Sequence, residues 1–142
     1  MHETDTHMRI NKVVSTLTLL IVCLAGGAIQ AGELVDEFKG ERTMQTAEFE
    51  VEGPWILDWR VSGDYARDMA VDVSLIEVGT QAHMGNVLKT KSAGNGVRLF
   101  QQSGRFFFRV DSMLARWTLK VEQLTPEEAE LYTPRSESRL DY

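Results

Sequence analysis

Strict alternation of apolar and charged residues constrains this chain more than any other feature. In "AEFEVEGPWILDWRV", Ala47, Phe49 and Val51 share one side, and Glu48, Glu50 and Glu52 take the other. After the Gly53-Pro54 break, Trp55, Leu57, Trp59 and Val61 share a side, with Ile56, Asp58 and Arg60 opposite. Side chains of a strand alternate between faces, so period two marks strands with one face on a core and one in water. "MAVDVSLIEV" repeats the pattern, with Met69, Val71, Val73 and Leu75 inward. "GTQAHMG" is looser and leads into "NVLKTK". A turn, "SAGNG", follows, where Gly and Asn take positive φ at low cost. "VRLFQQ", a Ser103-Gly104 turn and "RFFFRVD" come next. "RWTLKVEQL" sets Trp117, Leu119 and Val121 inward.

These segments predict an all-β fold: a single antiparallel β-sandwich, jelly-roll or Ig-like, of about seven short strands. A small barrel is the alternative. Residues 32–41, "GELVDEFKGE", read as a leader into a sandwich over 42–124. Thr125-Pro126-Glu127-Glu128 reads as an N-cap, a first-turn proline and a capping-box glutamate, opening a short helix over 125–132. Pro134 stops it, and 133–142 reads as a disordered tail.

The first 31 residues carry a different signal. Arg9 and Lys12 precede an apolar run from Val13 to Ala25, and a small-residue exit ends at Ala31. That order is a secretory signal peptide, with an N-terminal signal helix and a cut after Ala31. Glu3 and Asp5 are out of place in such a leader, and a start at Met8 gives the cleaner "MRINKVV". The competing reading keeps the segment as an inner-membrane anchor, although Ser15, Thr16, Thr18 and Gly26-Gly27 dilute it below the roughly 20 apolar residues of a span. Cys23 follows Val22 rather than a small residue, so it reads as one more apolar residue and not as a lipidation site.

Removing residues 1–31 from the 142 leaves 111, one domain able to bury a core. It leaves no cysteine, hence no disulfide, no thiol nucleophile and no thiolate metal site. A cysteine-free exported domain of this size is the bacterial pattern, with periplasm or exterior as the compartment. The net charge of −6 is unchanged, because Glu3 and Asp5 balance Arg9 and Lys12. An acidic domain without a basic block excludes nucleic acid as the expected partner. It equally disfavours anionic membrane surfaces.

The run "FKGERTMQTAEFEVEGPWILDWRV", with "GNGVRLFQQSGRFFFRVDSMLARWTLKVEQ" later, resembles a type of small secreted bacterial β-sandwich domain of unassigned function. Its pattern falls here on Phe38, Gly40, Thr46, Phe49, Val51, Gly53, Trp55, Leu57, Trp59, Gly104, Phe106, Val110, Trp117, Leu119 and Val121. The resemblance implies fold and export, and no activity.

Few residues suggest chemistry. Trp55 and Trp59 lie on one side of a strand, roughly 13 Å apart. They form either a sugar-binding platform or part of a core; the shared face with Leu57 and Val61 predicts core. Phe106, Phe108 and Trp117 join that core on the same pattern. Phe107 points the other way, flanked by Arg105 and Arg109, and is the candidate partner-binding surface. The competing reading packs it across strands, against Ile56 or Phe100. His83 is the one histidine after residue 31, in a loop without nucleophile context, and reads as solvated. Asp64, Asp68 and Asp72 lie close in sequence, but Arg67 interrupts them and no calcium-loop spacing is present. No cofactor and no metal are expected. The expectation is an exported, non-enzymatic binding or envelope accessory module with a protein partner. The alternatives are a glycan- or small-ligand-binding module using surface aromatics, and a small hydrolase using carboxylates.

Overall fold

The computed structural model describes residues 32–133, so the signal segment, Cys23, the choice between Met1 and Met8, and the tail from 134 lie outside the described residues. The described chain is all-β, apart from one short helix. Its strands are β1 (Glu33–Gly40), β2 (Met44–Gln45), β3 (Phe49–Val51), β4 (Trp55–Ser62), β5 (Ala70–Glu77), β6 (His83–Thr90), β7 (Gly94–Phe100), β8 (Gly104–Met113) and β9 (Arg116–Gln123). They form two antiparallel sheets: β1-β9-β4-β7, and β2-β8-β5-β6 with β3 also paired to β8.

The pairing is nested. β1 pairs β9, β2 and β3 pair β8, β4 pairs β7, and β5 pairs β6. The chain therefore folds as one long hairpin whose tip is the turn over 78–82, and β4–β9 and β5–β8 pairings then complete the sheets. The inner faces share one core. Trp55, Leu57, Trp117, Leu119 and Val121 come from the first sheet, and Val71, Val73, Leu75, Phe106, Phe108 and Val110 from the second. Trp55 stacks on Phe100 at 4.2 Å and 11°, and meets Phe49 edge-on at 5.7 Å, an aromatic end to that core.

Residues 33–40 are not a leader; they are an edge strand on β9. A register shift between Leu34 and Asp36 lets both Val35 and Phe38 pack on the core, three residues apart. A bulge inserts one residue and breaks period two, which hides the strand from pattern reading. The segment ahead of the Gly53-Pro54 break divides into β2 and β3. Between them Thr46 accepts from the Phe108 amide at 3.0 Å, while its own amide donates to the Phe108 carbonyl at 2.9 Å. The helix α1 (Pro126–Glu130) carries the anticipated capping box, with Thr125 and Glu128 exchanging hydrogen bonds. It covers Ile56 on the outer face of the first sheet, in a second cluster with Leu124, Ala129, Leu99 and Tyr132.

Candidate functional site

Phe107 does not supply the expected surface. It is only 7% exposed and stands opposite Ile76 on β5, itself buried, so the two cover each other on the outer face of the second sheet. The cross-strand reading is the correct one, with Ile76 as partner rather than Ile56 or Phe100. Arg105 turns to Glu50 at 3.7 Å and Glu48 at 4.0 Å, while Arg109 stays exposed beside Gln45 and Ser74. Isolated exposed ion pairs of this kind contribute little to stability.

The three tryptophans separate by environment. Trp55 and Trp117 are buried, and their indole N–H groups donate to the carbonyls of Gln102 (2.8 Å) and Arg42 (3.3 Å). Leu57, Phe106 and Phe108 are buried with them, as expected. Trp59 is half-buried: it packs on the core edge, yet its indole N–H has no acceptor among the described residues. Its ring lies over β7, where Gly94 and Gly96 present no side chain.

Four turns meet at one end of the molecule. Glu41, Gly63, Asp64, Tyr65, Leu114 and Arg116 line a groove of about 260 Å³ there. A second groove joins Thr43, Lys91 and Met113, which brings the β6–β7 turn to the same end. Hydrogen bonds tie the turns together at this end. Arg116 donates from both terminal nitrogens to the two carboxylate oxygens of Asp64, each at 3.1 Å, clamping the β4–β5 loop to the start of β9. Thr43 accepts from the Ser112 amide at 3.0 Å, and the Ser112 hydroxyl donates to the Ala115 carbonyl at 3.0 Å. Gly63 approaches the Leu114 carbonyl so closely that a Cβ would come within 2.8 Å of it.

On this frame sit three exposed apolar side chains: Tyr65 (60%), Met113 and Leu114 (52%). Leu114 also holds φ at 51°. A left-handed backbone costs an L-residue about 1–2 kcal/mol, and such strain gathers at working surfaces. The exposed leucine is thus held where glycine or asparagine would be easier.

The Asp64 carboxyl is not set up as a general acid. Hydrogen bonds from Arg116, and then its charge, hold the Asp64 carboxyl below the usual carboxylate range. A general acid needs the opposite shift. Asp72 is engaged elsewhere, with Lys89 at 3.5 Å and the Asn86 amide at 2.8 Å, and Asp68 stays exposed, so the three aspartates do not converge. Among the described residues no three His, Cys, Asp or Glu side chains gather as metal ligands. His83 is the first residue of β6 rather than part of a loop, and it is exposed. Among the described residues no helix is long and apolar enough to cross a membrane. No protein-family model matches the chain, and no curated protein is detectably similar to it.

Proposed function

We propose that this is an exported, non-enzymatic binding module of jelly-roll topology that meets a protein partner through its four-turn end. The nested strand order supports the jelly-roll reading, in which two packed sheets, here of four and five strands, come from one rolled hairpin. The segment from Arg9 to Ala31 supports export. One observation carries the function: Leu114, strained and exposed beside Tyr65 and Met113, on loops joined by the paired Arg116–Asp64 hydrogen bonds. Loops fixed by a sheet scaffold are where recognition concentrates, and rigid loops lose less entropy on binding.

The test places a photo-crosslinking amino acid at position 114, and separately at Lys39 as a control, in cells making the full chain. The expected result is a discrete protein adduct from position 114 alone, abolished by adding Tyr65→Ser. Equal labelling from both positions, or adducts indifferent to Tyr65→Ser, refutes the reading.

A second reading is a glycan-binding module centred on Trp59, whose half-buried ring and indole N–H, without an acceptor among the described residues, favour it over Trp55 and Trp117. Soluble glycans that shield Trp59 fluorescence from acrylamide would support it; none doing so refutes it.

A further inference from the structure

We propose that β7 is an open sheet edge that pairs antiparallel with β7 of a second copy of this chain, centred on Val97. The observation is an asymmetry among the sheet edges. An unpaired edge is a template for another strand, and proteins usually blunt it with bulges, charges or shortness. β1 has a register shift and carries Glu33, Asp36, Glu37 and Lys39. β2 and β3 are two and three residues long. β6 has two register shifts against β5, and Gly85 sits at φ 116°. Its Asn86 carbonyl is further occupied by the Arg98 guanidinium at 2.8 Å.

β7 lacks the bulges and shortness of the other edges and carries one charge. Its seven residues stay in unbroken register with β4, from Gly94 opposite Val61 to Phe100 opposite Trp55. It contains no proline and no acidic residue. Its single charge, Arg98, is already directed to Asn86. The far side of β7 has no strand partner among the described residues.

The side chains of β7 favour a second copy, in one register. A two-fold antiparallel pairing centred on Val97 sets Val97, 49% exposed, against Val97 of the partner subunit. Arg98 then falls opposite glycine and Leu99 opposite asparagine, so no like charges meet. Leu99 and Val97 from each copy are diagonal neighbours and form one apolar stripe on the outer face. Centring on Arg98 would oppose two guanidiniums, and centring on Gly96 would leave Val97 against asparagine. In the Val97 register the Asp58 side chains, one strand further in, stay about 14 Å apart, three strand spacings. The product is a continuous eight-stranded sheet with an isologous interface.

Sedimentation equilibrium on the chain expressed in full from Met1, in the form its host releases, tests this. A monomer–dimer equilibrium is expected. Val97→Lys and Val97→Glu should each shift it to monomer, because like charges then face each other across the two-fold. Mixing the two variants should restore the dimer, about tenfold tighter than either alone, because opposite charges pair. Circular dichroism and Trp55 fluorescence report that each variant folds. Wild-type chain that stays monomeric up to about 1 mM, where association ceases to be specific, overturns the proposal. A mixture no tighter than its components overturns the register, and with it the choice of a second copy over an unrelated strand.

Discussion

Gly96→Ala is the substitution whose sign depends most directly on the placement of Trp59. An ideal Cβ at Gly96 falls 2.8–2.9 Å from three indole atoms, Cζ2, Cε2 and Nε1. Unstrained carbon contacts begin at about 3.5 Å, so the methyl intrudes on the middle of a rigid ring. Gly96 is not among the positive-φ glycines, so its backbone accepts alanine. Two effects then oppose each other. Replacing glycine in a strand restricts the unfolded chain and stabilises by about 0.5–1 kcal/mol. Overpacking costs about 1–3 kcal/mol. The balance is a loss of up to about 2.5 kcal/mol. In a Trp59→Ala background the obstruction is gone, and the same Gly96→Ala should stabilise by about 0.5–1 kcal/mol. The coupling between the two sites is then about 1–3 kcal/mol, within the range of contacting residues. Gly94→Ala is the control: its Cβ lies 3.9–4.0 Å from the ring, so it should stabilise in both backgrounds. Urea unfolding followed through Trp55 and Trp117, retained throughout, supplies each free energy. A Gly96→Ala loss of equal size with and without Trp59 would refute the reasoning, because the clash would then lie elsewhere.

Three further outcomes follow from the same geometry. Trp55→Ala should cost about 3–5 kcal/mol, and Trp59→Ala distinctly less, because only the first ring is enclosed; equal costs by urea unfolding would show the two rings to be buried alike. Leu114→Gly should raise stability by up to about 1 kcal/mol, since relief of the left-handed backbone outweighs the entropy glycine adds to the unfolded chain. A lower unfolding midpoint would mean that Leu114 packs rather than projects. Asp64, held below its ordinary value near 3.8, contributes stability above that value and loses it as pH falls through its folded value. Carboxyl NMR titration should show Asp64 titrating low, and Arg116→Gln should return it upward; no movement would remove the clamp from the account.

Where burial on a sheet face decides a residue, the alternation was enough to place it. Trp55, Leu57, Phe106, Phe108 and Trp117 lie in the core for the reason their spacing suggests. The capping box of α1 was equally legible, because its partners are three residues apart. Pattern reading failed where one residue changed the period. The shift at Leu34–Asp36 hid β1 behind a leader-like composition. Phe107 failed for another reason: alternation fixes the face a residue takes, but not whether its cross-strand neighbour is apolar. Ile76, 31 positions away, is that neighbour. The four-turn end was illegible altogether, since Asp64 and Arg116 are 52 positions apart and meet only through the nested pairing.

The stretch "SAGNG" joins these threads. Its glycines suggest a turn, yet the turn ends at Ala93 and Gly94-Asn95-Gly96 begins β7. Glycine in a strand interior forgoes packing and costs backbone entropy, so its presence there calls for a compensating contact. Trp59 supplies it at Gly96: a Cβ there would fall 2.8–2.9 Å from three indole atoms, so only a strand without a side chain at 96 seats the ring as it stands. The same choice leaves β7 without bulk at 94 and 96, and with Arg98 as its one charge. Seating a half-buried tryptophan and keeping the edge strand free of bulk therefore meet in one residue, Gly96. An alanine at 96 should disturb both: it displaces the ring toward solvent and twists the strand that a second copy would have to meet. A Gly96→Ala chain that loses Trp59 shielding while dimerising as tightly as wild type would separate the two roles and show the edge to be independent of the ring.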